Sequence, residues 1–156
     1  MTAGGRRRRI AATAATAGRS RAITRVLVVH HDLDLGDQEA DSIRRAGYEV
    51  EQCAGPTGGG GPCPVLRGLP CPAAAQADVL VYDVFAEGGF DGGRALVEGL
   101  RRLHPEVPIV LTSPAMELDW VATEGPARVV PLVGAPTRDR LVAAIEAALG
   151  HRPAGA

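Results

Sequence analysis

Lysine is absent from this 156-residue chain: all seventeen basic residues are arginine, so no site here can use a compact ammonium charge. Aromatic residues make up only 3%, which leaves Val, Leu, Ile and Ala to build the core. No run approaches eighteen consecutive apolar residues, which excludes a membrane-spanning helix of the usual kind. Residues 10–18 are Ala/Thr-rich and too weakly hydrophobic for a signal-peptide core, despite the arginine run before them. A cytoplasmic protein is the expectation. The three cysteines are an odd number, which argues against a closed disulfide framework and for reduced thiols or metal ligands.

What is present suits one domain with a proper core: 46% hydrophobic and 22% charged residues. The net charge of −1 is unevenly spread. Residues 1–25 hold seven Arg and no acid, whereas residues 26–150 hold nine Arg against all eighteen acids, a balance of −9. Residues 1–24 are therefore expected to be a disordered basic arm, and the acidic body is a poor nucleic-acid binder. Any contact with nucleic acid would fall to that arm.

The body, residues 25–150, is organised around residues 77–83 (ADVLVYD), an unbroken apolar run closed by the carboxylate of Asp83. Such a run reads as a strand buried on both faces, as in a parallel sheet, with Asp83 emerging at its carboxyl end, the rim where open α/β sheets bind ligands. RVLVVH at residues 25–30 and VPIVLT at 107–112 read as two more buried strands. Residues 48–53 alternate like an edge strand, and residues 128–133, interrupted by Pro131, suit the other edge.

Helices are expected between them. Asp34 with Asp37 three residues on looks like a helix start, burying Leu35, Ala40 and Ile43 up to Gly47. Residues 93–103 carry Leu96, Leu100 and Leu103 on one face. Ser113-Pro114 reads as a helix start leading to Met116, Leu118, Trp120 and Val121, with Trp120 serving either an interface or the core. Thr137 reads as the cap of a last helix, with Leu141, Val142, Ile145 and Leu149 facing in, before a short frayed tail at 151–156. The second crossover breaks the rhythm. Residues 54–76 are rich in Gly and Pro and repeat Pro-Cys-Pro around Cys63 and Cys71, which leaves room for a short helix near residues 73–76. Strands alternating with helices give an α/β fold, a doubly wound five-stranded parallel sheet whose second crossover helix is largely replaced by this loop.

Carrying VLVVHHD, DVLVYD, PIVLTS and LVGAPTRDRL, the chain from Val26 to Leu149 resembles response-regulator receiver domains of the CheY-like family. The resemblance implies the flavodoxin-like strand order 2-1-3-4-5 and a two-component phosphorelay role, with Asp83 as phosphoacceptor. It also implies a non-enzymatic signalling module whose partner is a histidine kinase, an output protein or itself. Phosphoryl transfer to a carboxylate needs a hard cation held by acids and a fixed positive side chain. The family's two acids fall at His30 and His31, its lysine at Gly134 and its aromatic switch position at Pro131, while its hydroxyl survives at Thr112. Imidazoles are poor ligands for Mg²⁺, so that ion is expected to bind weakly if at all, and Asp32 is expected to point elsewhere. The expectation is a pseudo-receiver that keeps the fold for binding a partner, with phosphotransfer impaired or lost.

Two metal-binding alternatives stay open. His30, His31 and Asp83 offer a donor set suited to Zn²⁺ or Fe²⁺, provided the strand has ended before the pair; a solvent-exposed pair liganding nothing is the plainer expectation. Cys53, Cys63 and Cys71, with His30, could instead complete a zinc site or hold an iron–sulfur cluster, making a metal or redox sensor, although their spacing matches no compact Cys-x-x-Cys knuckle.

Overall fold

The structure, a computed structural model, describes residues 22–56, 61–84, 93–113 and 118–150. The basic arm up to residue 21 and the tail at 151–156 lie outside them. Five parallel strands form one sheet: β1 (Arg25–Val29), β2 (Glu49–Cys53), β3 (Val79–Asp83), β4 (Ile109–Ser113) and β5 (Val129–Val133). Their order is β2-β1-β3-β4-β5, as the resemblance implies. Every residue of β3 and β4 is buried, whereas β2 and β5, at the edges, are partly open.

Alternation along the strands sends their side chains into two cores. On one side Val26, Val28, Val79, Val81 and Val110 meet α1 (Leu33–Arg45) and α4 (Arg138–Ala148). On the other, Leu27, Val29, Leu80, Tyr82 and Leu111 meet α3 (Arg94–Leu103) and the second crossover. That crossover is mostly loop, as its prolines and glycines require, with a 3-10 turn at Val65–Arg67 and the five-residue α2 (Pro72–Gln76). Val65 seals this side: a Cβ on Gly99 of α3 would come within 2.7 Å of its Cγ1, so only glycine allows the approach.

Three expectations need correction. α1 begins at Leu33, capped by Asp32, whose side chain accepts the Leu35 N–H at 3.0 Å; Asp34 lies inside the first turn. This shifts the buried stripe to Gly36, Glu39, Ala40 and Ile43, and leaves Leu35 exposed. At α4, Thr137 occupies the cap position without a side-chain cap bond. The expected helix before β5 is not formed among its described residues: residues 118–120 make a turn and no helix follows before Val129, while residues 114–117, Met116 included, lie outside the described ones. Trp120 sits half-buried in that turn, packed against the α3-side core.

A guanidinium explains how this segment holds without helical bonds. Arg101 of α3 donates to the carbonyls of Ala122, Glu124 and Pro126, taking acceptors that a helix would have used internally. Replacing Arg101 by Ala is expected to raise amide exchange across residues 121–129 by about tenfold or more, with β1 and β3 unaffected. Unchanged exchange there would show that the loop does not depend on the clamp.

Candidate functional site

The site lies at the carboxyl rim, where β1 gives way to α1. The ladder ends with the His30 N–H on the Cys53 carbonyl at 3.1 Å, and Asp32 then starts the helix. Two residues, His30 and His31, bridge strand and cap. Because the strand has ended, alternation no longer separates them: their rings stack, with centroids 5.2 Å apart and 14° between planes.

Both imidazoles face Asp83, which β3 delivers to the same rim. His31 Nδ1 lies 2.5 Å from Asp83 Oδ2 and His30 Nδ1 lies 4.0 Å from the same oxygen. The expected solvent-exposed, unengaged pair holds only for the exposure of His31: His30 is buried, and the exposed His31 hydrogen-bonds the buried carboxylate. The close approach of α1 fixes His30, since a Cβ on Gly36 would stand only 3.1 Å from the His30 Cβ. The Asp32 N–H donates to His30 Nδ1 at 3.0 Å, which places the ring proton of neutral His30 on Nε2. That nitrogen points towards Glu39 Oε1, 4.0 Å away. Asp32 points away from Asp83, as expected, and takes the capping role expected of Asp34.

Glu39 is the residue that sequence reasoning missed. Its carboxyl is buried beside Asp83, and desolvation first, then the Asp83 charge, raises its pKa to about 7. The available signal was its place on the Gly36, Ala40, Ile43 stripe of α1, where a carboxylate is out of keeping with an apolar face. His30 shifts the other way: burial pushes it below its ordinary value, against the raising effect of Asp83.

Thr112 is the register partner of Asp83, so the two expected survivors do stand side by side, with the Thr112 hydroxyl donating to the Tyr82 carbonyl at 3.3 Å. Across the rim a cavity of about 380 Å³ opens between the histidines, Glu39 and Asp83 on one wall and residues 134–138 on the other. Gly134, where the resemblance places a lysine, has a left-handed backbone (φ +90°) and gives its N–H to the Ser113 carbonyl. Two guanidiniums lie nearby, both engaged by backbone: Arg140 holds the Val133 and Ala135 carbonyls, and Arg138 reaches the Arg45 carbonyl at the end of α1. The donors facing Asp83 thus include two imidazoles, and an oxygen-seeking ion such as Mg²⁺ fits that set poorly.

The cysteines occupy the opposite side of the sheet. Cys53 pairs in register with Val29, whose side chain belongs to the α3-side core, and Cys63 and Cys71 pack against that same core. All three are free thiols. Burial raises the Cys53 pKa, with smaller contributions from Cys71 and Cys63, and the three thiols are not within ligand distance of one another. They do not assemble with His30, which packs on the α1 side. Among the described residues the one set of three His, Cys or carboxylate ligand atoms within 4.8 Å of one another is His30, His31 and Asp83. Another histidine does approach the loop: the Cys71 N–H donates to His104 Nε2 at 2.9 Å.

No helix among the described residues is long and apolar enough to cross a membrane. At the level of sequence no protein-family profile and no characterised relative matches the chain. Solved structures do resemble it. A CheY-like receiver-domain protein from Methanospirillum hungatei JF-1 superposes with a TM-score of 0.60 at 17% identity, over 83% of this chain and 95% of that one. The receiver domain of NtrX from Brucella abortus gives 0.59 at 21% identity, over 81% and 99%. Against a longer NtrX chain from Brucella abortus the score is 0.60 at 22% identity, over 82% of this chain but only 26% of that one. At such identities the likeness is one of architecture. The chain has the fold of CheY-like response-regulator receiver domains.

Proposed function

We propose that this chain is a receiver-like signalling module of the two-component type that acts by binding another protein, a histidine kinase, an output protein or a second copy of itself, with phosphorylation of Asp83 impaired or lost. One observation carries the reading. The Asp83 oxygen on which a phosphoryl group would arrive is hydrogen-bonded by His31, in a rim where imidazoles stand at the family's acid positions and Gly134 at its lysine. Phosphoryl transfer is mostly positioning and charge neutralisation, so losing the cation's oxygen ligands and the fixed ammonium together removes most of what makes it fast. A non-enzymatic binding role needs neither.

The test is direct. The full chain, incubated with acetyl phosphate or with beryllofluoride in the presence of Mg²⁺ and, separately, Mn²⁺, is expected to give no adduct by intact mass and no change in Trp120 fluorescence. A covalent adduct present in the native chain and missing in Asp83→Asn would overturn the reading and make Asp83 a working phosphoacceptor.

A second reading, zinc or an iron–sulfur cluster held by Cys53, Cys63 and Cys71, would need the loop to close further on β2, because Cys63 and Cys71 pack against the α3-side core but the three thiols are not within ligand distance of one another. Metal analysis of protein purified without a tag decides it. Metal-free protein with an unchanged spectrum after reconstitution with zinc or with iron and sulfide removes it.

A further inference from the structure

We propose that the rim of the sheet is a binding site for a transition-series divalent cation of the Zn²⁺ or Co²⁺ type, with His30 Nδ1, His31 Nδ1 and an Asp83 carboxylate oxygen as its protein ligands. This deepens the reading above and rests on it, since it uses as a permanent ligand the carboxylate that a phosphoacceptor would need free.

The geometry is close to what such an ion requires. A tetrahedral ion with bonds of about 2.0–2.1 Å holds neighbouring ligand atoms about 3.3 Å apart. Here the two Nδ1 atoms lie 2.5 and 4.0 Å from Asp83 Oδ2, values that bracket that spacing, and each of the three residues offers a ligand atom within 4.8 Å of the other two. Moving His31 back and His30 forward by under about 1 Å would seat the ion, a shift within the reach of side-chain rotation. His30 would exchange its hydrogen bond from the Asp32 N–H for the metal, at a point where α1 begins and the amide can turn to water.

The surroundings supply the rest. With Nδ1 on the metal, the His30 proton stays on Nε2, directed at Glu39 Oε1. A carboxylate behind a ligating imidazole is the usual outer partner that fixes its orientation and strengthens it as a ligand. The two rings lie nearly parallel, 14° between planes, and face the same carboxylate. His31, its side chain 42% exposed, gives the ion a route in from solvent, and the adjoining cavity leaves the remaining coordination position to water or to a partner's side chain. Two nitrogens and one carboxylate oxygen favour this class of ion over Mg²⁺ or Ca²⁺.

The untagged full-length chain is titrated with Co²⁺ and the bound ion then displaced with Zn²⁺. One equivalent is expected, with the visible bands of tetrahedral Co²⁺ and without the near-ultraviolet charge-transfer bands of thiolate ligation. His31→Ala and Asp83→Asn should each weaken binding about tenfold or more, and Glu39→Gln by about tenfold. The triple variant Cys53→Ser, Cys63→Ser, Cys71→Ser should bind as the native chain does. His31, being half-exposed, is the diagnostic position; a change at buried His30 confounds binding with folding. Absence of the bands, their survival in His31→Ala, or their loss in the cysteine variant would each overturn the site. The two levels fail separately: a phosphoryl adduct at Asp83 sinks the reading beneath, whereas an unreactive Asp83 with no cobalt spectrum sinks the metal site alone.

Discussion

Replacing Ile43 by Ala is expected to lower the free energy of unfolding by about 2–5 kcal/mol, read as a lower urea midpoint with an unchanged slope. Ile43 is fully buried at the centre of the α1 stripe, packed into the cluster that includes Val26, Val28, Val79 and Ile145. Truncation removes three carbons' worth of transfer free energy and leaves a void that stiff β-branched neighbours are slow to fill. Domains of this size are stable by only about 5–15 kcal/mol, so one such change takes a large part of the margin. Ile43→Val should cost only about 0.5–1.5 kcal/mol. The loss has a functional side, because α1 carries both Glu39 and the Gly36 contact that holds His30. A loss below about 1 kcal/mol for the alanine variant would mean that α1 is not docked on this face as described.

Much of this fold was legible because its strands are fully buried. Continuous runs such as VLVYD and IVLTS suit only a sheet covered on both sides, and β3 and β4 form where those runs end in Asp83 and Ser113. The Gly/Pro segment before α2 was equally readable, since proline and glycine exclude a long helix by local chemistry alone. The segment before β5 was not. Its apolar spacing around Leu118, Trp120 and Val121 fits a helix, but Arg101, some twenty residues away in sequence, binds the carbonyls that a helix would need. A single long-range side chain overrides the local pattern there, and no window of sequence contains it.

At the site, the sequence carried the identities but not the arrangement. Asp83 and Thr112 follow from register between two central strands, which apolar runs reveal. The histidine pair depends on where β1 stops: one residue later and alternation would have sent the rings to opposite faces. Asp32, rather than Asp34, caps α1, and that choice turns both imidazoles onto Asp83. Glu39 lies in the buried stripe of the helix that starts there. An error of two residues in a helix start, small for the fold, was enough to hide the most perturbed carboxyl described.

Glu39→Gln is expected to stabilise the protein above neutral pH and to do nothing in acid. Burial, helped by the Asp83 charge, raises the folded pKa of Glu39 from 4.5 to about 7. Below pH 4.5 the folded and unfolded states both keep this proton, and the group is without effect. As pH rises the unfolded chain ionises first, while the folded chain holds the proton until about 7, so stability falls across that window and levels off beyond it. The shift amounts to roughly 3 kcal/mol at pH about 8, an amount the isosteric amide should restore because it cannot ionise. His30 works in the opposite sense. Its folded pKa lies below the ordinary 6.5, so the stability tied to its neutral form is present above that value and lost as pH falls through the folded one. Urea denaturation from pH about 5 to about 8 should therefore show the variant gaining stability towards alkaline pH where the native chain is flat or falling. A variant less stable than the native chain at pH about 8 would show that Glu39 is held ionised by a partner and that its burial has been misjudged. At the proposed cation site the same substitution removes the carboxylate behind His30, so the amide that strengthens the fold should weaken cobalt binding. A stability gain coupled to a binding loss is what a carboxyl retained for function predicts.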